Sequence, residues 1–396
     1  MPARPQFLTI EGGKDPVIYL DHNATTPVLP EVARRMAEVA EQTPLNPSSA
    51  HRAGEAARGV LLTARESLAD LLSCDPEQVT FTSSGTEANN AALWHGAAGG
   101  AIVTTNIEHS SILAAAEHLE AQGIPVSYAE VDINGRVMPE AVAERLDSAL
   151  AEGPVGLVSV QWANNETGVI QPIEQIVDIC RQRGVPIHVD AAQAVGKLPI
   201  ELDKLPIDFL TLTGHKFHGP TGVGALYIRN QIRPWFFGGD QEGRRRPGTE
   251  NLIGIAGLGA ACEARRRKFL TVNKEISLRR NRFESYISEH FPWVKINGAR
   301  CSRIGNTSNI HFIGLDGQAI MAQLDVAGIC VSQSSACTNH KPAPSYVLRA
   351  MGLSEAEAYA SIRFSFAETN SQEDVEQTIS ELTQIADRLS AMELRA

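Results

Sequence analysis

The chain has 396 residues, 43% of them hydrophobic and 20% charged, with a formal net charge of -11. That length can bury a large core and predicts two domains, and the balance excludes a fibrous or disordered chain. The acidic excess argues against broad contact with nucleic-acid phosphates, and no apolar run is long enough to cross a bilayer.

Residues 1–15 lack the basic start and apolar core of a secretory signal, so the cytoplasm is the expected compartment. Cys74, Cys180, Cys262, Cys301, Cys330 and Cys337 are then expected as free thiols, with no CxxC pair for zinc or a redox dithiol. From about residue 60 to 265, strand-like and helical runs alternate. "QVTFTSSG" (78–85) reads as a strand running into a small-residue turn, and "TEANNAALWHGAA" as the helix that follows. Next come the strand "AIVTTN", the helices "SSILAAAEHLEAQG" and "PEAVAERLDSALAEG", and the strand "VGLVSVQW". The helix "PIEQIVDICRQRG" leads to the strands "VPIHVDAA", "DFLTLTG" and "VGALYIR". This order predicts an α/β protein with helices flanking a mostly parallel sheet, whose ligands gather at the carboxyl ends of the strands.

Polar residues fall at those ends. Gly85 and Thr86 open a helix after a strand, where backbone N–H groups and the helix dipole suit an anion, although an ordinary N-cap has the same look. His109 precedes another helix, and Asn164, Asn165 and Glu166 close a strand in what is either turn chemistry or a polar ligand site. Asp190 ends the apolar strand "IHVD", where a buried carboxylate needs a positive partner. Lys216 lies in a loop between His215 and His218, as a solvated lysine, a neighbour of two metal ligands, or a reactive amine. Together, a phosphate cradle, a strand-end carboxylate, a histidine and a loop lysine make the set that pyridoxal phosphate needs.

The motifs "YLDHNATTP" (19–27), "NPSSAHRAG" (46–54), "SSGTEANN", "EHSSI", "NNETGVIQP", "HVDAAQAVG", "TGHKFHGPTGVGALY", "RRPGTEN" (245–251), "SSACT" (334–338), "PSYVLRAMGLS" and "SIRFSF" (361–366) occur in order. In them the chain closely resembles the cysteine desulfurases of the iron-sulfur and nitrogen-fixation type. These belong to the class V aminotransferase group of fold-type I pyridoxal phosphate enzymes. The resemblance implies that Lys216 holds the cofactor, Asp190 keeps its pyridine nitrogen protonated, and His109 stacks on the ring and moves protons. It further implies that Gln193 meets the ring 3′-oxygen and that Gly85, Thr86, Thr213 and His215 hold the phosphate. Thr249 would reach the phosphate of a neighbouring subunit, hence a homodimer. Arg363 would clamp the α-carboxylate of L-cysteine, as a planar bidentate donor can, with Asn165 assisting there or at the ring. No metal is implied, and His218 is left as a packing residue.

Cys337 matches the nucleophile that takes sulfur from L-cysteine, leaving alanine and a persulfide for a sulfur-acceptor protein, whether an iron-sulfur scaffold, a tRNA-thiolation protein or a DNA-modification protein. Its loop, about 331–345, is rich in Ser, Ala and Pro, and it departs from the family in carrying "NHKPAP" with His340 and Lys341. The "RRR" run at 244–246 reads as a solvated charge run. The expected architecture is a seven-stranded cofactor domain over 26–265 and a smaller α+β domain from 1–25 and 266–396. A selenocysteine lyase, or another C–S lyase or aminotransferase, on the same scaffold is the alternative activity.

Overall fold

The computed structural model describes residues 17–43, 46–333 and 343–393. Cys337, His340 and Lys341 lie outside the described residues. The short strand β1 (Ile18–Tyr19) is followed by helices α1 (Pro30–Gln42) and α2 (Arg52–Leu72). The main sheet then forms from β2 (Val79–Thr82), β3 (Ala101–Thr105), β4 (Val126–Ala129), β5 (Val155–Gln161), β6 (Ile187–Asp190), β7 (Phe209–Thr213) and β8 (Gly224–Ile228). These seven strands run in the order β2-β8-β7-β6-β5-β3-β4. Every pairing is parallel except those of β8, which runs antiparallel to both β2 and β7.

Helices α3 (Gly85–Ala97), α4 (Ser110–Ala121), α5 (Pro139–Glu152) and α6 (Ile173–Gln182) connect the strands. Strands β3, β6, β7 and β8 are buried along their whole length, which is why they read in sequence as continuous apolar or β-branched runs. The edge strand β4 is only half-buried over its first three residues, so its "VSYA" carries no such signal and is missing from the strand runs read above.

Helix α7 (Leu252–His290) is continuous for 39 residues, and the expected division at 265/266 falls inside it. No proline interrupts 252–290. It feeds two apolar cores: Leu258 and Cys262 join the core around the main sheet, and Phe283 and Ile287 join a second one with Leu20, Phe312, Phe364 and Leu382. There follow β9 (Val294–Ile296), β10 (Thr307–Phe312), α8 (Gly317–Val326), β11 (Ile329–Cys330), α9 (Tyr346–Ala350), α10 (Glu355–Tyr359), β12 (Ser361–Ser365) and α11 (Gln372–Glu393), of which α9 and α10 pack in a separate small cluster with Ile107 and the others build the second core. Here β12-β10-β9 form a three-stranded sheet, and β1 pairs with β11. Among the described residues no helix is long and apolar enough to cross a membrane.

Close contact between α7 and its neighbours depends on glycine. A Cβ on Gly259 would stand 2.7 Å from Ala64 Cα of α2, and one on Gly257 would stand 2.8 Å from Met36 Cγ of α1. Backbone cannot retreat as a flexible side chain can. Gly259→Val is therefore expected to cost about 1–3 kcal/mol, the usual penalty of overpacking, read as a lower denaturant midpoint at unchanged slope.

Candidate active site

The site is assembled where β3, β5, β6 and β7 end and where the turn after β2 enters α3. Ser84 caps α3 by accepting from Glu87 N at 3.2 Å, leaving the first backbone N–H groups of the helix, at Gly85 and Thr86, without intrahelical acceptors. Thr86 lines a cleft with Asn90, His109 and Ser111. A Cβ on Gly85 would be 3.6 Å from Thr213 Cβ, an ordinary contact, so sterics alone do not require glycine there.

His109 caps α4, its Nδ1 accepting from Ser111 N at 3.2 Å and lying 2.8 Å from Ser111 Oγ. Those donors assign the ring proton to Nε2. Burial depresses the ring below the usual imidazole range, Asp190 opposes this and Lys216 adds to it, so His109 is neutral at pH 7. The Asn89 amide joins this histidine to Asp190: it donates to Ser111 Oγ at 2.9 Å and to Asp190 Oδ2 at 2.8 Å. Asp190 Oδ1 accepts from Ala192 N at 2.9 Å, and no cationic side chain pairs with this buried carboxylate among the described residues. Within the protein its two oxygens are held by two amide donors, and the positive partner that the sequence calls for is left to a bound group.

A second network centres on Asn23. Lys216, in the 3-10 turn between β7 and β8, donates Nζ to Asn23 O and to Ala24 O, both at 2.7 Å. Gln193 Nε2 donates to the same Asn23 oxygen at 2.9 Å, while Gln193 Oε1 accepts from Lys197 Nζ at 2.5 Å. One amide N–H of Gln193 is left for another acceptor. Asn23 Nδ2 donates to Asn165 O at 3.0 Å, and Arg363 Nη1 donates to that same carbonyl at 3.0 Å. Arg363 is 1% exposed and bound through Nη2 to Asp21 Oδ1 at 2.6 Å, while its Nε is buried without a hydrogen bond.

Thr213 Oγ1 donates to Val223 O at 3.3 Å at the end of β7. His215 Nδ1 lies 3.1 Å from Thr25 Oγ1, and burial, reinforced by Lys216 and Lys197, pushes its pKa down to about 4. His218 is buried with Nδ1 against Pro27 O at 2.8 Å, and the described residues hold no cluster suited to a metal ion. Thr249 is exposed, beyond the hydrogen bonds that join these residues in one chain. Of the arginine run, only Arg244 is solvated as expected: Arg245 donates to Thr80 Oγ1 at 3.0 Å, and Arg246 pairs with Glu87 at 3.0 Å on a half-buried surface. Asp21, Asn23, Asn89, Ser111 and Lys197 went unmarked in the sequence. Asn23 and Asp21 lie in "YLDHNATTP", a motif without helical or strand periodicity from which their roles could be read.

The residues fit pyridoxal phosphate on two observations. Asp190 is a buried carboxylate lacking a cation, as the partner of a protonated pyridine nitrogen should be. Asn165 Oδ1 is buried and unsatisfied, facing no protein donor. A mostly parallel sheet with a lysine beyond β7, facing a strand-end carboxylate and histidine, defines a fold-type I pyridoxal phosphate enzyme. The model of the aminotransferase class-V family matches residues 18–378, and the chain belongs to that family, whose members depend on this cofactor. It is 41% identical to the cysteine desulfurase of Trichormus azollae over 95% of this chain and 94% of that one. The NifS-like protein of Rickettsia africae ESF-5 superposes with a TM-score of 0.85 at 35% identity, covering 94% of this chain and 99% of that one. SspA in complex with cysteine superposes with a TM-score of 0.78 at 33% identity, covering 88% and 99%.

Behind His109, Glu108 is fully buried, accepting from Thr105 Oγ1 at 2.5 Å and Gln161 N at 3.1 Å, and burial pushes its carboxyl up to about 8. The folded state thus holds this proton more tightly than the unfolded chain, whose glutamate titrates near 4.5. Its contribution to stability is complete below that value and is lost as pH rises through about 8. Glu108→Gln, a permanent analogue of the protonated form, should flatten this loss, so thermal melts from pH 6 to 9 should fall less steeply for the variant than for the parent.

Proposed function

We propose that this protein is a cysteine desulfurase that takes sulfur from L-cysteine onto Cys337, releases L-alanine and passes the sulfur to an acceptor protein. The observation that carries the reading is the convergence, at the ends of one parallel sheet, of the Lys216–Asn23–Asn165–Arg363 network with the His109–Ser111–Asn89–Asp190 network. The solved SspA complex with cysteine supports the substrate. When bound, pyridoxal phosphate supplies an electron sink for the pair left when the substrate α-proton departs.

Each residue then has a task set by its surroundings. Lys216 would supply the amine that holds the cofactor, and Asp190, buried and fixed by Asn89 and Ala192 N, would keep a proton on its pyridine nitrogen. The N–H groups of Gly85 and Thr86, with Thr213 and the neutral His215, hold the phosphate at the positive end of α3. Gln193 offers its remaining N–H to the ring oxygen, and Asn165 meets the same region. His109, neutral with its proton on Nε2, is able to pass a proton across the ring face. Arg363, already oriented by Asp21 and Asn165, receives the substrate carboxylate. The thiolate of Cys337 bonds to the substrate sulfur as its bond to the β-carbon breaks. That carbon keeps the electron pair and is protonated, so cysteine and thiol become alanine and persulfide.

The five described thiols are poor candidates for this step, because burial raises all of them: Cys74 and Cys180 to about 12, with Cys262, Cys301 and Cys330 also above the usual value. A homodimer that brings Thr249 to a second site accords with the exposed Trp94 and Phe236 in the cleft lining and with the exposed Phe237 that follows in sequence. Cytoplasmic placement, and an acceptor serving iron-sulfur assembly, tRNA thiolation or DNA modification, belong to the same proposal.

Cys337→Ser should retain the yellow cofactor band yet lose alanine formation from L-cysteine by at least about 10²-fold, since a hydroxyl is a far weaker nucleophile than a thiolate. Desulfuration at the parental rate in that variant would exclude the persulfide route. Lys216→Ala should lose covalent cofactor, scored as mass retained after borohydride reduction.

A further inference from the structure

Two ammonium groups meet on the opposite oxygens of one asparagine. Lys216 Nζ sits on the backbone oxygen of Asn23 at 2.7 Å, and Lys197 Nζ sits on its Oδ1 at 3.3 Å and on Gln193 Oε1 at 2.5 Å. Both lysines line one narrow cavity with His22, His218 and Arg265. We propose that Lys197 is a positioning residue for the amine of Lys216: its charge opposes a proton on the neighbouring nitrogen, and its N–H bond fixes the Gln193 amide.

The two lysines compete for charge in crowded surroundings. Burial first, and then the cations Lys216, Arg265 from α7 and Arg363 from β12, hold the Lys197 pKa well below the usual lysine range, while Asn23 Oδ1 and Gln193 Oε1 accept from its Nζ. Arg265 is paired with Glu368 at 3.2 Å and Arg363 with Asp21 at 2.6 Å, so these carboxylates are already engaged. The histidines facing the cavity or its rim do not add compensating charge. His22, His215 and His218 are all depressed, chiefly by burial and further by neighbouring cations, and are neutral at pH 7. Like charges in a poorly solvated space destabilise each other's protonated forms, so removing one lets the other keep its proton to higher pH. A second lysine is thus a means of presenting Lys216 as a free base near neutral pH without burying it in an apolar pocket.

The geometry at Gln193 adds a directional effect. Lys197 has only hydrogen-bond donors to offer, so the Gln193 oxygen must face it and the Gln193 nitrogen must face Asn23 O and the site. The amide orientation that offers a donor to the cofactor is therefore set by Lys197. This inference rests on the reading of Lys216 as the cofactor-holding amine, and the two are tested separately.

The test is a pH titration of the visible absorbance of the holoenzyme. In Lys197→Met the midpoint should rise by about 1 pH unit, the scale of a nearby like charge. In Lys197→Arg, which keeps the charge, the midpoint should stay close to the parental one. Lys197→Gln serves as a second neutral variant if the methionine variant does not fold. A midpoint that is unmoved in the neutral variants, or that moves equally in the arginine variant, overturns the inference. Lys216→Ala decides the underlying reading: a covalent band that persists there overturns both, whereas loss of the band together with an unmoved Lys197 midpoint overturns the inference alone.

Discussion

Asn23 is the residue on which the two halves of the molecule depend. It is 2% exposed, and each of its polar atoms is engaged: the backbone N–H donates to Ser365 Oγ, the amide nitrogen to Asn165 O and Thr307 Oγ1, and both oxygens accept from site residues. Its partners come from the main sheet on one side and from β10 and β12 on the other. A fully satisfied polar network in a dry interior fixes geometry more strictly than apolar packing does, because every displacement leaves a buried group unpaired. Lys216, Gln193 and Arg363 are thereby placed relative to one another by a segment far from all of them in sequence.

Charge is distributed in the opposite sense to the whole chain. The protein carries -11, yet Lys197, Lys216, Arg265 and Arg363 gather around one junction, with Asp190 set apart behind Asn89. Local positive potential draws anionic groups such as a phosphate or a carboxylate even in a chain of net negative charge. Burial keeps His109, His215 and His218 uncharged, so none of them adds to the positive charge gathered at this junction.

Most of the sheet and much of the site were legible before any coordinates. The parallel strands are buried on both faces, which forces apolar or β-branched runs, and their ends switch abruptly to polar residues. That switch marked Gly85, His109, Asn165, Asp190 and Lys216. The edge strand β4 escaped because its half-buried residues need not be apolar. The course of α7 through residue 265 escaped because an uninterrupted helix serving two cores shows no composition change where it passes between them. The arginine run at 244–246 read as solvated because sequence cannot show that Glu87 and Thr80 stand opposite Arg246 and Arg245.

By itself the sequence determined the layer architecture and the inventory of reactive side chains, since periodicity and strand-end chemistry are local properties that survive in one dimension. The tertiary structure decided which of those side chains share a neighbour. Asn89 between His109 and Asp190, Asp21 on Arg363, and Lys197 beside Lys216 across Asn23 are contacts between residues distant in the chain. Such pairings carry no periodic signature. They exist only once burial has closed the two cores on the segment between them.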